Sequence, residues 1–154
     1  MNLREVHVPP PVVLLAAGLA QRALSRNAPR PGRWRQVASL ALAAGSAALP
    51  VTAALTFISQ RTTVSPLAPE HATSLITSGP NALTRNPMYL GMAGLLAAHA
   101  VQRGSWAAVG PLGLFVLTVD RWQIRGEEEA LRRLFGAEYG AYCARVPRWL
   151  GRVR

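Results

Sequence analysis

Two short clusters of polar residues in this sequence have the types and spacing that chemistry on a small polar molecule requires. The first spans residues 75–91, LITSGPNALTRNPMYLG, and places an arginine, an asparagine and a tyrosine around Pro87. The second spans residues 127–142 and begins with three consecutive glutamates, Glu127–Glu129. A carboxylate accepts hydrogen bonds from ammonium and hydroxyl groups, and an arginine holds a planar anion through two hydrogen bonds. Together the clusters indicate a mixed-charge site for a polar ligand.

Metal and disulfide chemistry are not expected from the remaining reactive side chains. Cys143 is the only cysteine, so it has no partner for an internal disulfide or a cysteine-based metal cluster. His7, His71 and His99 are far apart in the sequence and lack the spacing of metal ligands. We therefore predict that the site holds no metal.

Long uncharged stretches predict the elements that position these clusters. The 154-residue chain is 50% hydrophobic and 16% charged, whereas soluble domains average about 25% charged residues. The uncharged stretches are residues 8–21, 36–60, 86–102 and 104–119, and they are typical of transmembrane helices. The prediction is an all-α integral membrane bundle of about four transmembrane helices. A soluble four-helix bundle and a signal peptide at the first stretch are the alternatives.

The last two stretches predict a helical hairpin, Tyr89–Ile124, with its turn at Arg103 and Gly104. Because a hairpin returns the chain to the side from which it started, both polar clusters are expected at one face of the membrane. Beyond the hairpin, apolar residues recur at three and four positions, which is typical of an amphipathic helix. We expect this C-terminal helix to lie along the membrane interface. The stripe consists of Leu131, Leu134, Phe135, Tyr139, Tyr142 and Val146.

Taken in order, these motifs resemble those of the isoprenylcysteine carboxyl methyltransferase family, whose broader group includes phospholipid N-methyltransferases. The family pattern is LVTxGxY, RHPxYxG, a hairpin, and EExxLxxxFGxxYxxY with a following V-P segment. It appears here as LITSGPN (75–81), RNPMYLG (85–91), EEEALRRLFGAEYGAY (127–142) and VPRWL (146–150). The resemblance covers roughly Thr62 to Leu150. The chain departs from the pattern at Asn81, Asn86 and Gln123, the last of which stands where eukaryotic members carry an arginine for the substrate carboxylate.

The resemblance implies an integral-membrane methyltransferase that uses S-adenosylmethionine, and it implies two groups of site residues. The positions that match cofactor contacts are Thr73, Ser74, Leu75, Ile76, Asn81, Asn86, Pro87, Met88, Tyr89 and Glu127. The residues expected to act on the methyl acceptor are Arg85, Arg121, Arg125 and Glu128. An arginine would hold a carboxylate acceptor, whereas Glu128 would take the proton from an amine acceptor.

The expected reaction is methyl transfer to a lipophilic, membrane-embedded acceptor, with S-adenosylhomocysteine as product. Carboxyl O-methylation of a prenylcysteine-like or other small lipidic acid is the leading hypothesis. Phospholipid or lipid-amine N-methylation is one alternative, and a non-catalytic membrane scaffold derived from the family is an alternative of another class. A net charge of +10 is also typical of proteins that bind nucleic acid, but the long apolar stretches argue against that function. The expected partners are therefore membrane lipids and a lipophilic or lipidated substrate, without nucleic acid.

A single integral-membrane domain is expected over residues 1–154. Its N-terminal helices are assigned to residues 8–60, and its catalytic core with the cofactor site to residues 61–150. The expected location is the bacterial inner membrane, with the cofactor site facing the cytoplasm. Arginines follow both the first and the fourth predicted helix, so their distribution alone does not decide the orientation.

Overall fold

The protein folds as a bundle of helices. In the computed structural model, residues 8–59 and 74–151 are described, and these parts of the chain contain no β-strand. The helices are α1 (Pro10–Leu24), α2 (Arg33–Ser59), α3 (Pro87–Arg103), α4 (Val109–Thr118) and α5 (Arg125–Arg145). Short 3-10 turns cover Gly79–Ala82 and Trp106–Ala108, and a π-helical turn, Val119–Ile124, joins α4 to α5. The expected all-α fold is confirmed for the described residues.

α1 is held against α3 and the start of the next helical run by a buried glutamine. Proline occupies the first turn of both α1 and α3. The N–H groups of a first turn have no acceptor within the helix, so the N–H that proline lacks is not missed there. Gln21 is fully buried, and its Nε2 donates to the carbonyls of Leu96 at 3.0 Å and Ala108 at 2.7 Å. These bonds satisfy a side-chain amide that would be costly to bury alone. They also fix α1 alongside both arms of the hairpin.

α2 and α3 run antiparallel, and they pack closely because small residues face each other across the contact. A Cβ atom at Gly94 would lie 2.1 Å from Ser46 Oγ, and one at Gly91 would lie 2.5 Å from Pro50 Cδ. Pro50 has no N–H, so the Ser46 carbonyl loses its helical hydrogen bond. That carbonyl faces Gly91, at 2.6 Å from an added Cβ. Glycine on α3 is therefore needed for this helix contact.

A left-handed glycine turns α3 into the next helical run. Gly104 has φ of +58° and donates its N–H to the Ala100 carbonyl at 2.9 Å, the usual way to end a helix. Arg35 of α2 covers the turn and donates to the carbonyls of Val101 and Gln102, each at 3.2 Å. We call this end of the bundle, with residues 25–32 and the Gly104 turn, the arginine end. The opposite end, where α3 begins and α5 follows the π-turn, is the site end.

The outer surface of the bundle is rich in exposed apolar side chains, including Leu15, Leu40, Leu55, Leu114 and Trp122. By length and composition, α2 is the one helix of the described residues suited to crossing a membrane. Its 27 residues contain an 18-residue window with a mean hydropathy of 1.7, of which 11% is buried. At 1.5 Å per residue, α2 is about 40 Å long, against about 30 Å for the hydrocarbon core. The expected set of about four spans is thus reduced to one clear candidate by these criteria.

α5 contains the amphipathic C-terminal helix expected from the sequence, and its position at the membrane interface stays a prediction. Gly136 has φ of +48° and ψ of −117°, so the helix bends sharply there. Beyond the bend, Tyr139, Tyr142 and Val146 are buried, and Leu75 packs against them. The apolar stripe therefore packs on the chain segment that precedes α3.

Candidate functional site

The first feature of the site end is a glutamate held by residues from α3 and the π-turn. The Tyr89 hydroxyl donates to Glu127 Oε1, and Gln123 Nε2 donates to the same oxygen at 2.9 Å. Tyr89 is buried in the core formed by α1, α3 and α4. Because Pro87 starts α3 two residues earlier, the ring of Tyr89 lies at the point where the hairpin returns. The hairpin and the π-turn thus bring together residues that are 38 positions apart.

The environment of Glu127 makes its carboxyl group easier to protonate. Burial raises the pKa of Glu127 to about 7, against the opposing effect of the hydrogen bonds from Tyr89 and Gln123. Near neutral pH this carboxyl therefore exists in both protonation states. A bound cation would favour the ionised state.

The adjacent residue, Glu128, has the opposite electrostatics because two arginines bind it. Arg85 Nη2 lies 2.8 Å from Oε1, and Arg148 Nη2 lies 2.6 Å from Oε2. Burial alone raises the pKa of Glu128, but the hydrogen bonds from Arg148 and Arg85 outweigh burial and hold the pKa below its usual range. Glu128 is 3% exposed, so its charge is compensated inside the protein.

The C-terminal segment, residues 146–150, connects this ion-pair network to the π-turn and to the residues that precede α3. Arg148 also binds Asp120 of the π-turn, with Nη1 at 3.3 Å from both carboxylate oxygens. The Trp149 indole donates to Asp120 Oδ1 at 2.9 Å. The Arg148 carbonyl accepts hydrogen bonds from Thr84 Oγ1 at 3.0 Å and Asn86 Nδ2 at 2.9 Å. The segment is therefore bonded to both polar clusters and to the π-turn.

Comparison with known proteins identifies the family to which this geometry belongs. A family model described as phospholipid methyltransferase matches residues 34–138. The chain belongs to the phospholipid methyltransferase family. That family is one of membrane methyltransferases, so the expected membership of this broader group is confirmed. The match runs from α2 into α5 and includes Arg85, Tyr89, Glu127 and Glu128.

A relative and the solved structures add little to this assignment. An uncharacterized protein of Haemophilus influenzae (strain Rd) is 36% identical over 63 residues, which is 41% of this chain and the whole of that protein. No solved structure matches this phospholipid methyltransferase family member.

Most of the residues expected to contact the cofactor lie on the segment that leads into α3 and on the first turn of that helix, whereas Glu127 lies in α5. Three buried polar atoms of the described residues have no hydrogen-bond partner, namely Ser74 Oγ, Asn81 Oδ1 and Arg85 Nε. All three lie in this segment, between residues 74 and 85. Unpaired buried polar atoms are costly, so they mark positions where a polar ligand would be favourable. Thr73 lies outside the described residues.

The remaining expected residues divide into buried and exposed positions. Leu75 and Met88 are half-buried, while Ile76, Asn86, Pro87 and Tyr89 are buried. Arg121 and Arg125 are exposed on the helical run that carries Gln123 and Glu127. Arg85 and Glu128 are paired with each other inside the protein. The expected site residues thus divide into a buried or half-buried group and an exposed pair of arginines.

Asp120, Arg148 and Trp149 are structural members of the site that sequence reasoning did not single out. In the sequence, Asp120 could have indicated this ion-pair network, since an acid at the end of an apolar helix needs a partner. Arg148 stands in the VPRWL segment, but its distance of 20 positions from Glu128 hides the contact.

Proposed function

We propose that this protein transfers a methyl group from S-adenosylmethionine to the headgroup amine of a phospholipid. The observation that carries the proposal is the Tyr89–Glu127–Gln123 cluster at the site end, in a chain of the phospholipid methyltransferase family. It joins a hydrogen-bonded carboxylate to an aromatic ring where a helical hairpin meets α5.

The residues of the site fit S-adenosylmethionine by their chemistry. When bound, this cofactor supplies a methyl group already activated by its positive sulfur. The carboxylate of Glu127 would accept a hydrogen bond from the cofactor's α-ammonium group, and the ring of Tyr89 would pack against its cationic or aromatic parts. Ser74 and Asn81 offer the unpaired polar atoms described above.

Two exposed arginines support a phosphate-containing acceptor. Arg121 and Arg125 flank Gln123, and the ring of Trp122 between them is exposed, as is typical of side chains at a membrane interface. Guanidinium groups bind phosphate well, so Arg125, and Arg121 beside Asp120, would hold a phospholipid headgroup at the outer face of the helical run that carries Glu127. Their charges also disfavour the ammonium form of a nearby amine, whose proton would pass to water at this exposed face.

The roles within the protein then follow from how each group is paired. Glu128 was expected to take a proton from the acceptor, but it is bound by Arg85 and Arg148 and its pKa is low. We propose instead that Glu128 is a positioning residue that holds the start of α3 and the C-terminal segment together. The protein contributes alignment and electrostatics to the transfer.

Carboxyl O-methylation of a lipidic acid is the second candidate. Arg121 and Arg125 are exposed beside the position where the related enzymes carry a substrate-binding arginine, and guanidinium groups also bind carboxylates. Such an acceptor needs no proton removal. The product distinguishes the two candidates, because a methyl ester is cleaved by base and an N-methyl group is not.

The membrane arrangement is part of the proposal. We propose that α1, α2, α3 and the run from Trp106 to Ile124 all span the bilayer of the bacterial inner membrane. The site end would face the cytoplasm. A non-catalytic scaffold would share this arrangement but would not bind the cofactor.

Calorimetric titration of the detergent-solubilised protein with S-adenosylhomocysteine tests the proposal. Glu127→Gln and Tyr89→Ala are each expected to weaken binding by about tenfold or more, since each removes a charged hydrogen bond or the ring. Glu129→Gln is the matched control, because the Glu129 side chain is 71% exposed and pairs with Arg133. Unchanged affinity in both site variants would overturn the site assignment, and no binding by the unaltered protein would favour the scaffold.

A further inference from the structure

A groove between α1 and α3 lies outside the proposed site. It has a volume of about 470 Å³ and is lined by apolar side chains that include Leu14, Leu19 and Leu95. Its α1 wall runs from Pro11 to Arg22, which is about 16 Å at 1.5 Å per residue. The groove is thus long, apolar and open at the surface of the bundle.

One end of this groove is polar, because Arg22 and His99 line it. His99 Nδ1 lies 2.8 Å from Gln21 Oε1. Since Gln21 Nε2 is used by two carbonyl groups, its Oε1 is an acceptor and His99 Nδ1 must carry the proton. The other ring nitrogen, Nε2, is therefore the unprotonated nitrogen of the neutral ring and can accept a hydrogen bond.

The charges around this polar end have one sign. Arg22 and Arg103 both act electrostatically on His99. Four more arginines, Arg26, Arg30, Arg33 and Arg35, belong to the same arginine end. Within residues 8–59 and 74–151, the acids are Asp120, Glu127, Glu128, Glu129 and Glu138, and all of them lie in the π-turn and α5 at the site end. The arginine end is therefore an anion-attracting surface.

We propose that this groove binds one anionic phospholipid. Its acyl chain would lie between α1 and α3, and its phosphate would meet Arg22 at the arginine end. The charge argues for an anionic headgroup, and the linear apolar groove argues for an attached chain rather than a free phosphate. This lipid is distinct from the proposed methyl acceptor, which meets Glu127 at the opposite end.

Native mass spectrometry of the detergent-solubilised protein tests this proposal. Phosphatidylglycerol and phosphatidylcholine of equal chain length are titrated separately, and the fraction of protein carrying one lipid is measured. We expect phosphatidylglycerol to be retained preferentially. Arg22→Gln is expected to weaken its binding by about tenfold, as for loss of a charged hydrogen bond. Arg133→Gln, at an exposed position of α5 outside the arginine end, is the matched control and is expected to leave binding unchanged.

A second variant tests the groove itself. A Cβ at Gly18 meets only Leu96 Cδ2 at 4.0 Å, so Gly18→Leu would place its side chain in the groove without striking the backbone. It is expected to lower retention of phosphatidylglycerol, while Gly113→Leu, at an open position of α4, is expected to leave it unchanged. The thermal unfolding temperature shows whether each variant is folded. If Gly18→Leu does not fold, lipid binding by Arg22→Gln is the result that tests the proposal.

Several results would overturn the proposal. They are equal retention of the two lipids, unchanged binding in Arg22→Gln, and displacement of the lipid by inorganic phosphate alone. A second copy of the chain that occupies the groove, detected as a dimer lost in Gly18→Leu, would also overturn it. Because no cofactor is added, each of these results leaves the proposed methyl transfer untouched.

Discussion

At the scale of single residues, Glu127 and Glu128 show how neighbouring carboxylates take different roles. Among the described residues, the donors to Glu127 are the uncharged Tyr89 and Gln123, and burial raises the pKa of Glu127 to about 7. Glu128 is bound by Arg85 and Arg148, whose hydrogen bonds keep its pKa low despite burial. A carboxyl with a pKa near neutrality is the one that responds to a bound cation.

The raised pKa of Glu127 makes a prediction about pH. A ligand ammonium group binds the ionised carboxylate, so affinity for S-adenosylhomocysteine should rise as the pH increases through about 7. Below that pH, affinity should fall by up to about tenfold per unit, because protonation must be reversed before binding. Calorimetric titrations at several pH values measure this slope. Glu127→Gln should remove the slope, and a slope that persists in this variant would assign it to another group.

The contacts of Arg148 make a prediction about stability. Arg148→Met removes one guanidinium partner from Asp120 and from the buried Glu128. This loss should lower the free energy of unfolding by about 3 kcal/mol. Arg133→Met is the control, because Arg133 and its partner Glu129 are 70% and 71% exposed, and an exposed pair contributes about 1 kcal/mol or less. Chemical unfolding in detergent compares the two. Equal losses of stability in both variants would contradict the claim that Arg148 holds this ion-pair network together.

At the scale of secondary-structure elements, the π-turn and the bend at Gly136 shape the site end. The π-turn, Val119–Ile124, carries Asp120 towards Arg148 and Gln123 towards Glu127. Such turns are frequent at functional sites. The bend at Gly136 then lets Tyr142 reach the Asn81 carbonyl, to which its hydroxyl donates at 2.7 Å.

Two glycines of α5 provide a matched test of that bend. A Cβ would meet nothing within 4 Å at either Gly136 or Gly140, but only Gly136 has a positive φ. Gly136→Ala should therefore lower stability by about 1–3 kcal/mol through backbone strain, and cofactor binding with it. Gly140→Ala should be neutral or slightly stabilising, because alanine favours a helix. Indistinguishable unfolding curves for the two variants would show that the bend is not required.

At the scale of the whole molecule, the sequence predicts the helices and the contact of Tyr89 with Glu127. It predicts less well the ion-pair network around Glu128. The uncharged stretches and Gly104 mark the hairpin, and a hairpin necessarily returns Tyr89 to the side of Glu127. The contact of Arg148 with Glu128 depends on how the C-terminal segment folds back, which local spacing does not encode. Gly136 also looks ordinary within a helical stripe, since one glycine is tolerated there.

The match to the phospholipid methyltransferase family over residues 34–138 places the protein among membrane methyltransferases. This chain combines a hydrogen-bonded carboxylate cluster at one end with an arginine end that contains no acid within residues 8–59 and 74–151. Two different lipids would thus have separate places on one small bundle. The first place is where the chemistry is proposed to occur.

The most direct test of that chemistry is incubation with methyl-labelled S-adenosylmethionine and vesicles of phosphatidylethanolamine. We predict that label enters the lipid fraction as a base-stable N-methyl product, and that Glu127→Gln abolishes this incorporation while Glu129→Gln retains it. Label released by mild base, or no labelled lipid from a protein that binds S-adenosylhomocysteine, would contradict the proposed amine methylation.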